Sequence, residues 1–397
     1  MSTDNPAPAR PARVAFYNDP RVRSFAYQIA LCVAVALVVY GAASNAIEHL
    51  RRAHIASGFG FWDQTAGFDI SQTLIDYSSQ ASTYGRAFWV GLLNTLLVAS
   101  LGIVLATMLG FIVGISRLSK NWLLSKVAGG YVEIIRNVPL LLQLLFWYNA
   151  VLKALPDIRD SLVVDGGIFL NNRGLYLPKP IAGAGFGAVE LAFVVGIVAA
   201  FIFRHWARRR QARTGEQAPV LLVSLALVIG LPLAALLLAG VPIHFEFPQA
   251  GRFNISGGIE VLPEFAALLF GLSIYTAAFI AEVVRAGILA VSHGQVEAAY
   301  SLGLRPRPTL RLIVVPQAMR VIIPPLTNQY LNLTKNSSLA VAIGYPDLVQ
   351  VFTGTVLNQT GQAVEVVAIT MLVYLTISLA TSVAMNLYNR RMALVER

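Results

Sequence analysis

Eight stretches of the chain are each apolar over roughly 20 residues, the length a helix needs to cross about 30 Å of hydrocarbon. They fall near 25–44, 88–115, 131–155, 187–203, 219–241, 263–288, 320–343 and 364–388. Hydrocarbon offers backbone N–H and C=O groups no partner, so each run reads as a helix and the fold class is an all-α polytopic membrane protein. Composition agrees: of 397 residues 56% are hydrophobic and 13% charged, too little charge to cover a soluble chain of that size.

Lysine and arginine then set the orientation. With the N terminus inside, the segments 1–24, 116–130, 204–218, 289–320 and 389–397 hold nineteen of them, and the outer loops eight when Lys153 at the outer end of the third run is counted with them. Arg136, Arg285 and Lys335 fall deeper within spans. This bias places both termini in the cytoplasm. It also explains the run "RHWARRRQAR" at 204–213 as an inner-side stop rather than a nucleic-acid patch. The first run is too long for a signal-peptide core and lacks a cleavage pattern, so it is retained as a span. The Pro/Ala-rich residues 1–24 form a disordered cytoplasmic tail.

Several chemistries are excluded. One cysteine, Cys32, forbids an internal disulfide, and the five histidines do not cluster, so no metal site is expected. No lysine follows a glycine, so the chain lacks the phosphate loop of an ATPase. No nucleophile, base and orienting acid come together, and no catalytic residue is expected.

The cytoplasmic segment "VEAAYSLGLRPRPTLRLIVVP" at 296–316 interrupts the apolar runs. Ser292 and Gln295 make a capping-box pattern that opens a helix near residue 293. Gly303 suits the left-handed position that closes it. Pro306 and Pro308 forbid continuation, and Pro308 fits the first turn of a second helix starting near Thr309. Ala298 and Ala299 leave room for another surface to approach the backbone.

The string Glu297, Ala298, Ala299, Gly303, Ile313, Val315, Pro316, with its spacing, resembles the EAA loop of ABC importer permeases and departs only at Val315, where that family usually has leucine. "YVEIIRNVPLLLQLLFWY" at 131–148, "AAFIAEVVRAGI" at 277–288 and "PPLTNQYLNLTKNSSLA" at 324–340 are similar to the polar amino-acid uptake subfamily, in the long form of general L-amino acid or Glu/Gln/Asp/Asn permeases. The resemblance implies about eight transmembrane helices around a five-helix core, with a cytoplasmic coupling helix that docks on an ATPase through Glu297, Ala298, Ala299, Leu302, Gly303 and Arg305. It implies ATP-driven import of polar or broad-range L-amino acids across the bacterial inner membrane. The partners implied are a second permease in a heterodimer, two copies of an ABC ATPase holding ATP and Mg, and a periplasmic amino-acid-binding protein. No cofactor is expected in this chain itself. Lipid is the remaining partner, and nucleic acid is none.

On this basis 25–87 is an extra first span with its outer loop and 88–155 the first part of the core. An inserted region with two extra spans occupies 156–262, and 263–397 is the second part of the core with the coupling loop 292–316. Span seven carries Asn328, Asn332, Lys335 and Asn336 on one helical face, with Ser337 beside them. Two readings fit: a solute pathway, in which amides and one cation meet an amino acid's polar groups, or polar bonding between helices. Glu133 with Arg136, and Glu282 with Arg285, have the i, i+3 spacing of ion pairs near the inner interface. Pro139, Pro316, Pro324 and Pro325 are hinges or fixed bends. The aromatics of "FGFWDQTAGFDISQ" at 59–72 suit the membrane interface. The rival to an importer subunit is a self-sufficient, ion-coupled secondary transporter or channel, which needs carboxylates at membrane depth; Glu133 and Glu282 are the chief ones, each beside an arginine.

Overall fold

The computed structural model describes residues 20–52, 58–164, 167–251 and 254–392. Most of the 1–24 tail lies outside them. In chain order the helices are α1 (Pro20–Arg52), α2 (Tyr84–Ser116), α3 (Trp122–Asn137), α4 (Leu140–Leu145), α5 (Phe186–Thr214), α6 (Val220–Leu225), α7 (Leu231–Leu238), α8 (Pro263–Leu289), α9 (His293–Ser301), α10 (Pro306–Thr309), α11 (Val315–Asn336), α12 (Leu357–Thr360) and α13 (Ala363–Met392). Wider π-helical turns at 146–152, 226–230 and 310–314 join several of these into longer rods. Among the described residues seven rods are long and apolar enough to cross a membrane, and α3 with α4 and its extension makes an eighth.

All eight spans read from the sequence are present, but the third is not one rod. α3 and the 140–152 helix meet at 105°. Pro139 supplies no N–H, and its ring drives Val138 into extended backbone at φ −100° and ψ 128°, which ends α3 there. The carbonyls freed at the break are met by Gln143, whose Nε2 donates to Ile135 O and Val138 O, each at 2.9 Å. Pro139 thus marks a bend whose freed carbonyls are bonded within the chain.

α2, α4, α8 and α11 share one core, in which Leu144, Leu268, Leu272, Ile280, Ile322 and Leu333 are buried. α2 and α8 lie closest. A Cβ on Gly114 would sit 2.7 Å from Ala281 O and 2.9 Å from Val284 Cβ, and one on Gly110 would sit 2.5 Å from Ile280 Cγ2. In a bilayer, where helices gain little from leaving lipid, such backbone approach is a main source of attraction. A second core joins 58–83 to α2, α13 and the 349–356 turns. Phe61 is buried in it and packs edge-on against Tyr84, while Trp62 packs on Phe88 and Phe352. The aromatics assigned to the membrane interface thus divide: Phe59 is exposed, whereas Phe61 and Trp62 cover the chain's own helices.

The segments flanking α5 and α7 form antiparallel strands that the apolar pattern did not reveal. β1 (Leu162–Val164), β2 (Ile168–Asn171), β3 (Gly174–Leu177) and β8 (Ile259–Val261) make one sheet in that order. β4 (Lys179–Ala182) pairs β5 (Ile243–Glu246), and β6 (Gln249–Ala250) pairs β7 (Ile255–Ser256). The β3–β8 and β4–β5 pairs clip together the segments before α5 and after α7. Between them α5 and the α6–α7 rod form a hairpin.

The close α2–α8 approach predicts that Gly114→Ala lowers the midpoint of thermal unfolding in detergent, by a cost of about 1–3 kcal/mol from overpacking. Gly187→Ala, where a Cβ meets nothing within 4 Å, is the control and leaves the midpoint in place. Equal effects would contradict the close approach.

Candidate docking helix, polar face and buried polar knots

α9 begins at His293 after Ser292, as the pattern predicts, but the capping box does not form. The Ser292 side chain makes no cap bond; the turn closes through Gln295 N–H to Ser292 O at 3.0 Å. The Gln295 side chain instead accepts from Gln317 Nε2 at 3.4 Å, tying α9 to α11. Gly303 sits at φ +74° and closes the helix, with Leu304 N–H reaching Ala299 O at 3.1 Å. The next helix starts at Pro306, three residues ahead of the expected Thr309, because proline at a helix's first position forfeits no bond.

The two alanines part company. Ala299 is buried against the protein, while Ala298 is exposed beside Glu297, Gly303 and Arg305. Leu302, at 81% exposure, stands at the tip with Tyr300 half-exposed near it. The loop is thus held at its base and presents an apolar tip within a polar rim.

α11 is divided lengthwise. Ile322, Ile323, Leu326 and Leu333 are buried on one side. Asn328, Asn332 and Lys335 are exposed on the other, with Asn336 half-buried at its edge. Among the described residues none of these four side chains has a hydrogen bond or ion pair. Ser337 and Thr334 turn away from them: both are buried, and their hydroxyls donate to backbone carbonyls of their own helix, at 2.7 Å to Thr334 O and 2.9 Å to Tyr330 O. Ser337 therefore does not widen the polar face. Pro324 and Pro325 lie inside α11 without ending it.

At the end of the bundle nearest α9, Glu282 gathers three arginines. Arg117, which caps α2, donates to its carboxylate. Arg285 lies 3.2 Å and Arg136 3.7 Å away. The expected Glu282–Arg285 pair forms, but the Glu133–Arg136 pair does not: α3 packs on α8, and Arg136 reaches across to Glu282 and to Phe279, its guanidinium 5.1 Å from that ring's centre. Arg117, following the apolar run directly, was the residue the spacing could not supply.

A second knot joins the opposite end of the bundle. Asn94 on α2 donates to Gln72 O and Pro346 O, each at 2.9 Å, and Thr95 accepts from Leu348 N–H at 3.0 Å. Asp347, between spans seven and eight, is fully buried. Its carboxylate accepts from Gln350 N–H at 2.8 Å and from the Tyr374 hydroxyl at 3.1 Å. Burial pushes the Asp347 carboxyl from 3.8 up to about 7, and burial with Asp347 close by pushes the Tyr345 hydroxyl up as well. Nothing in the apolar pattern around 347 marks this residue as buried.

The chain matches the family described as the binding-protein-dependent transport system inner membrane component over residues 102–394. It belongs to that family, and is a permease subunit of an ABC transporter. It is 54% identical to the general L-amino acid transport system permease protein AapQ of Rhizobium johnstonii, over 97% of this chain and 96% of that one. It is 53% identical to the putative amino-acid ABC transporter permease protein YhdX of Escherichia coli, over 96% and 97% respectively. A third relative, at 41% over 96% of each chain, is the glutamate/glutamine/aspartate/asparagine transport system permease protein BztB of Rhodobacter capsulatus.

A raised acid pKa makes folding favour the protonated form. The Asp347 contribution is fully present below about pH 4 and is lost as pH rises toward about 7, at roughly 1.4 kcal/mol per unit between them. Asp347→Asn removes that dependence: unfolding midpoints measured at about pH 5 and about pH 8 should differ less in the variant than in the parent. Parallel behaviour of the two proteins would contradict it.

Proposed function

We propose that this chain forms half of the path by which an ATP-driven importer carries polar L-amino acids across the bacterial inner membrane. The observation that carries this reading is the face of α11. Three exposed polar side chains and a half-buried fourth, none with a partner among the described residues, stand on a membrane-crossing helix. A central charge there costs about 2.5–3.5 kcal/mol on insertion scales, so the face belongs against protein or water rather than lipid. A second permease covering it would enclose a polar channel, with Asn amides for a solute's carboxylate and ammonium and Lys335 for its negative charge. Relatives named for general L-amino acids and for glutamate, glutamine, aspartate and asparagine support polar solutes.

The lysine and arginine bias puts α9 and both termini on the cytoplasmic side. There the exposed Leu302 tip is the seat for an ABC ATPase, which binds ATP and Mg. Two ATPase copies, a second permease and a periplasmic amino-acid-binding protein complete the assembly. Closure of the ATPase pair would be carried by α9 to α11 and, through the short turn at 290–292, to α8. An ion-coupled transporter working alone has no support in the family the chain belongs to.

Tagged permease purified gently from native membranes should retain an ATPase, and Leu302→Asp or Gly303→Asp should reduce that retention by about tenfold or more, the equivalent of about 1.4 kcal/mol. Undiminished retention in both variants would refute docking through α9. Asn332→Ala and Asn336→Ala should change the apparent affinity or the range of amino acids taken up. Unchanged uptake in both would refute the pathway.

A further inference from the structure

The charged group around Glu282 does more than close on itself. A cavity of about 390 Å³ opens beside it, lined by Arg117, Glu133, Arg136 and Glu282 among others. A second, of about 360 Å³, shares Arg117 and Glu133 and adds Lys126 and Arg285. Each is large enough for a small ligand. Around this space stand four cations and two carboxylates, and the carboxylates are used unequally. Glu282 serves three arginines. Glu133 has no ion pair among the described residues, and Lys126 has none either.

Arg136 is part-exposed and held, but its guanidinium makes no hydrogen bond among the described residues. Its 3.7 Å separation from Glu282 is an attraction rather than a hydrogen bond, and the Phe279 ring supports one side of its guanidinium. Its planar fork of donors is suited to a carboxylate. One helical turn before it, Glu133 lines the same cavity with an unused carboxylate. A receptor for an anion and a receptor for a cation thus lie side by side, on residues whose Cβ atoms are about 5–6 Å apart by helix geometry. An α-amino acid presents both charges on one carbon.

We propose that this cavity is a second, cytoplasmic-side site for an α-amino acid, with the ammonium on Glu133 and the carboxylate on Arg136. The surplus of cations makes an acidic side chain the best fit, with Lys126 or Arg117 as its partner. An occupant would fasten α3 to α8, the helix that leads into α9, and so slow the cycle when the solute accumulates inside. This rests on the reading that the chain carries amino acids. The same pair of charges would also suit a phosphatidylethanolamine headgroup, whose phosphate and ammonium are similarly placed.

The test uses the complete importer. Equilibrium binding of radiolabelled L-glutamate is measured without the solute-binding protein, in nanodiscs of phosphatidylglycerol with and without phosphatidylethanolamine. Uptake is compared in vesicles preloaded with L-glutamate and in empty ones. Expected are glutamate binding in both lipids, weakened at least tenfold by Glu133→Gln and by Arg136→Gln and partly restored by Glu133→Asp, and an uptake rate that falls several-fold on preloading in the parent but not in Glu133→Gln. The inference is overturned if Glu133→Gln binds glutamate as the parent does, if preloading leaves the parent's rate unchanged, or if phosphatidylethanolamine abolishes glutamate binding and so identifies the headgroup as the occupant. Normal uptake into empty vesicles alongside any of these outcomes would leave the importer reading intact, whereas absence of amino-acid uptake would defeat that reading itself.

Discussion

Hydrocarbon gives a polar group nothing to bond with, and the organisation of this protein follows from where each such group finds a partner. The carbonyls opened at Pro139 are met by Gln143. Asn94 and Thr95 bond the backbone of the 345–348 segment and so fasten the N-terminal half of α2 to the turn after span seven. Glu282 collects the arginines of three helices at the other end. Between these fixed points the bundle is held by close packing, with α2 on α8 at Gly110 and Gly114. Against that background the polar face of α11, without a hydrogen bond or ion pair at Asn328, Asn332, Lys335 or Asn336 among the described residues, is where the proposed second permease would sit.

Much of this was legible from residue order. The apolar runs gave the spans because about 20 helical residues are needed to cross the bilayer whatever the fold. Gly303 announced the end of α9 because a residue with positive φ is costly for any side chain with a Cβ. The grouping of Asn328, Asn332, Lys335 and Asn336 survived because it depends only on helical periodicity. The capping box failed since Gln295 found Gln317, a partner 22 residues away, and Ser337 left the polar face by bonding its own helix.

What residue order did not reveal depends on distant contacts. The packing of α3 on α8 decides whether Arg136 meets Glu133 or Glu282, and no local spacing specifies that packing or the 105° bend that follows it. The β3–β8 and β4–β5 pairs join segments on either side of the hairpin of α5 with α6–α7, and their short strands carry no strong alternation of apolar and polar residues. Asp347 looks like an ordinary loop acid until Tyr374 and α2 are brought around it.

The covering of α11 is tested most directly by placing single cysteines at Asn328 and Asn332 in a chain lacking Cys32, and probing them in intact membranes with a water-soluble maleimide and a short crosslinker. A face shared with a second permease predicts reaction with the maleimide from the aqueous path and crosslinks to another permease chain. Reaction only with lipid-soluble reagents, and no crosslink at either position, would mean that α11 faces lipid and that the pathway lies elsewhere.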